Sequence, residues 1–396
     1  MFLNGAPGTL VRITGHDPRL GPWEHDAFVP DPLPAESPHL EPATYLAIGD
    51  ARASLAALDT TARQLPNPHL LRLPTLHREA QSTSALEGTY APLAEVLIAD
   101  DEDPATADLV EILNYVRSAN YGFAWVGDRR PITLSFLGDL QGILMRGTPL
   151  EDVSGRLRAS QVVIGRRPDA DPRGFPVKNA RFVPAPEGEP LHDGMSSLVD
   201  WIRGDHSGQI DPVVTAAMAH YQFETLHPFR DGNGRVGRLL IVLHLLGTGV
   251  LSEPTLTVSP WFEARRGEYY DRLLAVSTAG EWDGFVRFFA AGLRQAADTT
   301  REEMLGLVGV QQELKDIIRG SSLRADSAHA LVDLAVANPS FSVRKVEADL
   351  NISYGRANKL VGQLVELGIL DVVDENAYKR RFFAPHVLDV LTGTTR

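Results

Sequence analysis

Cysteine is missing from all 396 residues. That excludes disulfide frameworks, thiolate metal sites and cysteine nucleophiles, so any chemistry must come from other side chains. No apolar run is long enough to cross a bilayer either. The longest, "LLIVLHLLGTGVL" at 239–251, falls short of the roughly 20 residues a spanning helix needs and contains His244. A basic excess is also absent: 38 Lys and Arg against 51 Asp and Glu leave a formal net charge of −13. Such a balance argues against a chain that coats nucleic acid or an anionic membrane. The opening "MFLNGAPGTLVRITGHD" shows no basic segment followed by an apolar one, so a secretory signal is not expected and a cytoplasmic protein is.

What is present is an ordinary globular composition, 43% hydrophobic and 22% charged, with length for about two to four domains. Residues 1–42, rich in Pro and Gly, read as an extended N-terminal arm. A helical region follows at 43–130, and a larger core spans 131–300, opening with a helix over 131–147. Inside that core, "RASQVVIGRRPDADPRGFPVKNARFVPAP" differs in kind. Gln161, Val162, Val163 and Ile164 form a short β-prone run, then Pro, Gly and Asp dominate up to Phe182–Val183, which reads as a hairpin or flap. Asp211-Pro212 is a helix start, with Asp at the cap and Pro in the first turn. Val214, Ala217, Met218 and Tyr221 then recur at helical spacing. After a polar break, "VGRLLIVLHLL" is apolar nearly all round, the pattern of a buried helix. A helical linker is expected at 301–322.

The polar break is "HPFRDGNGR", residues 227–235. Gly232 and Gly234 allow successive backbone N–H groups to turn inward and cradle an anion. The helix that follows adds its unsatisfied N–H groups and positive dipole end. Arg235 and Arg238 bring fixed positive charge to that same end. Together these features describe a polyphosphate site. Asp231 beside it is a natural Mg²⁺ ligand, and His227 can accept a proton near neutral pH. Three other readings compete. "GNGRVG" fits a dinucleotide fingerprint, but that motif requires a preceding strand where the pattern here is helical. Glu224 and His227 form an ExxH, yet the other such spacings, Glu36/His39 and Glu189/His192, lie in Pro-rich stretches and leave a di-iron site without its second half. A plain turn with His227 as a core residue is the third.

The run "HPFRDGNGRVGR" (227–238) resembles the full signature of Fic-domain proteins, His-Pro-Phe-x-Asp/Glu-Gly-Asn-Gly-Arg-x-x-Arg. "GRLRASQVVIG" (155–165) is similar to that family's flap, with Gly165 its last residue, and "TSALEG" (83–88) to its inhibitory motif. The likeness covers roughly residues 43–300. It implies a mainly α fold: an all-helical Fic core with a short β-hairpin flap, followed by a small winged-helix domain. It also implies adenylylation, the transfer of AMP from ATP to a Tyr, Ser or Thr hydroxyl of a target protein or of the chain itself. On the matching positions, His227 would deprotonate the hydroxyl and Asp231 would hold Mg²⁺. Asn233 would help hold the α-phosphate with the backbone of Gly232 and Gly234, Arg235 would neutralise phosphate charge, and Arg238 would grip the γ-phosphate. Glu87 would restrain the reaction by pairing with Arg238, steadied by Thr83, or would position water for removal of AMP. Both roles stay open here. Ser84-Ala-Leu-Glu87 also fits a capping box at a helix start. The flap departs from many relatives in carrying Arg166 and Arg167 after Gly165, which suggests strand addition by an acidic target segment.

Residues 323–396 read as helix, turn, helix and β-wing. Val343, Val346 and Leu350 space one helix, Leu360, Leu364 and Leu367 a second that stops at Gly368, and two strands are expected around Asp374. From Ser322 onward nine Lys/Arg balance nine Asp/Glu. Arg356, Lys359 and Lys379-Arg380-Arg381 could contact DNA phosphates, but a binding module usually has a clearer basic excess. The partners to expect are therefore ATP and a protein hydroxyl, with a homodimer or DNA as further candidates and no membrane. The competing function is a nucleotide-sensing regulator that binds DNA through the winged helix.

Overall fold

The computed structural model describes residues 2–3, 5–64, 69–99, 104–171, 173–323, 326–374 and 380–393, with the side chains of 69–71 left out. Helix dominates, at 61% of the described residues, with three small antiparallel sheets among them. The chain groups into two compact units, each drawn from three separate stretches. This grouping cuts across the linear division read from sequence, because the helical region at 43–130 is shared between them.

The first unit comprises Met1–Ala53, Arg117–Leu251 and Trp261–Arg294. Its centre is a pair of helices, Pro212–Leu226 and Asn233–Gly247, each with thirteen of its fifteen residues buried. Asp211 caps the first as expected, its carboxylate accepting from the Val213 N–H at 2.8 Å. An all-round apolar surface forces both helices inside. Histidines tie this core internally. His220 donates from Nδ1 to the Gly237 carbonyl at 2.9 Å and accepts at Nε2 from the Tyr269 hydroxyl at 2.7 Å. His244 Nε2 meets Thr215 Oγ1 at 2.8 Å. The helix expected at 131–147 spans Leu134–Leu144, capped by Thr133.

Two hairpins flank this core. The flap pairs Ile164–Arg166 with Ala180–Phe182, Ile164 opposite Phe182. The arm expected to be extended contains instead a hairpin of two ten-residue strands, Gly8–Asp17 and Gly21–Pro30. The returning strand opens at Gly21, at φ 85°, and buries the adjacent Ala27 and Phe28 on its two opposite faces. The Phe28 N–H donates to the Val183 carbonyl at 2.9 Å, and Ala27, Val177, Ala180 and Val183 form one apolar cluster with Trp23, Val163 and Phe175 at its edge. The arm hairpin thus braces the flap.

The second unit comprises Ser54–Val116, Ser252–Pro260 and Gln295–Arg396. The linker expected at 301–322 is the last part of one continuous helix, Trp282–Gly320, except for its final two residues. Beyond it come the helices Asp326–Ala337, Val343–Asp349, Tyr354–Glu366 and Pro385–Thr392 and a three-stranded sheet in which Arg381–Phe383 lies between Phe341–Ser342 and Asp371–Val372. Gly368 stops Tyr354–Glu366 as expected, at φ 69°. Lys379 and the residues after Asp374 in the expected turn lie outside the described residues.

Candidate active site

The site is built on the turn between the two central helices of the first unit. Pro212–Leu226 cannot continue through Pro228, whose ring would clash with the preceding turn. His227 ends it in the left-handed region, φ 48° and ψ 61°, with its N–H on the Phe223 carbonyl at 3.0 Å. A non-glycine residue there costs roughly 1–2 kcal/mol, a strain that gathers at functional sites. Its Nδ1 lies 3.3 Å from the Glu224 carbonyl. A carbonyl only accepts, so Nδ1 carries the proton and Nε2 the lone pair.

Gly232 precedes the next helix at φ 80°. That φ favours glycine, and a Cβ there would come within 2.9 Å of the end of Leu144 and 3.0 Å of the end of Met145, so both side chains would have to shift. Gly234 lies inside the first helical turn. Asp231 is exposed; its Oδ1 accepts from the Gly232 N–H at 2.7 Å and its Oδ2 stands 3.6 Å from Arg235. Arg235 and Arg238 are buried, at 1% and 0% exposure. Two guanidinium groups buried at the positive end of a helix oppose its dipole, an arrangement that a bound anion relieves.

Asn233 ties the loop together. Its side chain accepts from the Phe229 N–H at 2.8 Å and donates to the Phe229 carbonyl at 2.9 Å, closing the loop on itself. Buried, it serves the shape of the turn. The helix that precedes the motif also removes the dinucleotide fingerprint, since no strand stands before Gly232. No group of three or more His, Cys, Asp or Glu among the described residues could hold a metal, which leaves the ExxH without co-ligands.

The flap shares the unit with this turn. Gln161 donates to the Val162 and Pro184 carbonyls, each at 3.0 Å, Val163 packs on the hairpin cluster, and Gly165 sits at φ 62°. Arg166 is exposed, and Arg167 pairs with Asp169 at 3.3 Å. Arg230 reaches the Ser160 hydroxyl at 3.2 Å.

Two residues escaped the sequence reading. Gln141, buried, donates to the Asp231 carbonyl at 3.1 Å and accepts from the Gly155 N–H at 2.6 Å. A polar residue among the apolar positions of Leu134–Leu144 was its only signal. Arg158 is fully buried and donates to the His227 carbonyl at 2.9 Å; burial pushes its guanidinium down to about 10, with Glu187 opposing. Its neighbour Arg156 has the same charge, and sequence could not tell them apart.

Thr83 and Glu87 belong to the second unit. The helix His69–Glu87 ends at Glu87, so Ser84 stands in its last turn and the capping box is excluded. Gly88, at φ 98°, donates to Ala85 and Thr89 donates to Ser84, the paired bonds of a Schellman stop. The glycine of "TSALEG" is thus a helix terminator. Thr83 is buried and Glu87 exposed. Also in this unit, Arg356, Lys359 and Arg380 are exposed, and Arg381 donates to Ser340 at 2.7 Å.

Residues 45–124 match the Fic/DOC family N-terminal region and residues 131–245 the Fic/DOC family domain. The chain belongs to the Fic/DOC family. Over 148 residues it is 34% identical to protein adenylyltransferase fic-1 of Caenorhabditis elegans, covering 37% of this chain and 24% of that one. Over 181 residues it is 30% identical to protein adenylyltransferase Fic of Drosophila virilis, covering 46% and 32%. This Fic chain therefore spans between a quarter and a third of the length of these curated relatives. A crystal structure of a Fic family protein from Desulfovibrio desulfuricans G20 shares the fold, with a TM-score of 0.55 at 21% identity over 88% of this chain and 98% of that one. A fragment of Fic-1 from C. elegans gives 0.50 at 22% identity, over 67% and 74%.

Proposed function

We propose that this chain is a protein adenylyltransferase, which moves AMP from ATP to a Tyr, Ser or Thr hydroxyl of a protein, itself included. One observation carries the reading: Arg235 and Arg238 are buried at the positive end of a helix whose preceding turn holds His227 in the left-handed region. In the proposed reaction the target oxygen bonds to the α-phosphorus, the bond to the pyrophosphate oxygen breaks, and His227 Nε2 takes the hydroxyl proton. Transfer of this kind depends mainly on placement and charge neutralisation. Arg235, Arg238 and the N–H groups after Gly232 bind the phosphates. The flap residues Gln161–Gly165 seat the target backbone, with Arg166 favouring acidic segments. The curated relatives named protein adenylyltransferases support this assignment.

The residues fit Mg²⁺ better than a resident transition metal. Asp231 offers a single carboxylate, 49% exposed, which suits an ion that keeps water and phosphate oxygens as its other ligands. When bound, the ion would neutralise phosphate charge. Glu87 acts as a restraint on the forward reaction, and removal of AMP is the second chemistry open to it.

Self-labelling with α-labelled ATP and Mg²⁺ tests the reading. Labelling should be weak in wild type, strong in Glu87→Gly, and absent in Glu87→Gly/His227→Ala. Equal labelling of all three would mean that this turn does not catalyse the transfer.

A further inference from the structure

The polar group most deeply committed to the site, and given no part in the reaction above, is Arg158. Its side chain has no exposure, and its donors point at backbone carbonyls. Nε donates to His227 at 2.9 Å, Nη1 to Ser160 at 3.3 Å, and Nη2 to Ala185 and, at 3.5 Å, to Leu226. The backbone N–H of Arg158 donates to Pro228 at 2.9 Å. Among the described residues its one ion pair is with Glu187 at 4.0 Å, so its acceptors are mainly uncharged.

These acceptors fall in two places. Leu226, His227 and Pro228 form the C-terminal end of the Pro212–Leu226 helix, where carbonyls lack intrahelical partners and the dipole favours a cation. Ser160 and Ala185 are the two roots of the flap, one just before Gln161 and the other just after the return strand Ala180–Phe182. A guanidinium is a rigid fork that can serve diverging carbonyls at once, whereas an ammonium is a point donor on a flexible stem. The bond to the carbonyl of His227 itself bears on function. It fixes the peptide between His227 and Pro228, and with it the left-handed backbone that aims the imidazole.

We infer that Arg158 is a positioning residue that clamps both roots of the flap to the turn carrying His227. The strand that seats a target hydroxyl and the base that deprotonates it are thereby held in one register. This rests on the adenylylation reading for its consequence in rate, though the clamp itself is a statement about His227. Loss of the fork leaves the phosphate-binding helix start at Gly232–Arg238 in place, so ATP still binds while the hydroxyl and the imidazole lose their alignment. A misplacement of about 1 Å costs on the order of a hundredfold in rate.

The test uses the full chain in the Glu87→Gly background, comparing Arg158→Lys and Arg158→Ala. Turnover should fall about a hundredfold in both, with the KM for ATP little changed. A depression of about 610 Å³, lined by Leu157, Arg158, Ala159, Glu187 and Leu191, adjoins this residue, and truncation to Ala would free the space its guanidinium fills. Added guanidinium should therefore restore labelling by Arg158→Ala at least tenfold, and methylammonium should not. The imidazole NMR signal of His227, assigned by its loss in His227→Ala, should shift in Arg158→Lys while those of His220 and His244 stay in place. An unmoved His227 signal, or full turnover in Arg158→Lys, would overturn the clamp. So would activity loss that only tracks melting temperature and ignores guanidinium. If the Glu87→Gly parent itself fails to label, the adenylylation reading falls, and the His227 signal still decides the clamp.

Discussion

At the scale of single residues, the turn depends on backbone freedom as much as on charge. Gly232 supplies a left-handed φ that an L-residue adopts at a cost of roughly 1–2 kcal/mol, and it sits where a Cβ would press on Leu144 and Met145. Gly208 has nearly the same φ, 78°, but open space around it. The pair separates strain from site geometry. Gly208→Ala should lose about 1 kcal/mol of stability and leave ATP affinity alone. Gly232→Ala should lose at least as much and weaken ATP binding about tenfold, or about 1.4 kcal/mol, because the N–H groups after it no longer converge. Calorimetric titration with ATP in the Glu87→Gly background checks both. Unchanged affinity in Gly232→Ala would show that the loop does not cradle phosphate. Asn233 adds a related point, since it holds the loop's shape through both a donor and an acceptor bond to Phe229.

At the scale of elements, caps and stops set where the functional groups stand. Asp211 begins the helix whose other end carries His227, so Asp211→Ala should cost about 1 kcal/mol while Asp211→Asn costs little. Denaturant unfolding checks this, and a neutral Asp211→Ala would deny the cap its role. Such starts and stops were legible in the sequence because they depend on one or two residues: Asp211-Pro212 and Gly368 each act locally. The motif loop was legible for the same reason. The arm hairpin was hidden, because its strands are stabilised by packing against Val177, Ala180 and Val183, about 150 residues away in the chain. Arg158 and Gln141 were hidden likewise, since their importance lies in which distant carbonyls they reach. The short spacing Ser84 to Glu87 misled in the opposite direction. It fits a helix start, yet Gly88 makes it a helix end.

At the scale of the whole molecule, a core that holds neutral histidines must respond to acid. Burial is the main reason that His220 is pushed down to about 3, with its bond to Gly237 opposing and Arg238 adding to the shift. Burial likewise pushes His244 down to about 4, helped by His206. In the unfolded chain both return to about 6.5, so below that pH the unfolded state takes up protons that the fold refuses. The stability each contributes is fully present above about pH 6.5 and is lost as pH falls toward its folded value. Each histidine then removes up to about 1.4 kcal/mol per pH unit. Free carboxylates titrate near about 4, so between about pH 6.5 and 5 these two histidines dominate the slope. Urea unfolding at about pH 7.5 and about pH 5 should therefore differ by roughly 4 kcal/mol, and His220→Gln should cut that difference by about half whatever its effect on absolute stability. A stability that stays flat across this window would mean that the central helix pair opens enough to protonate both rings without unfolding.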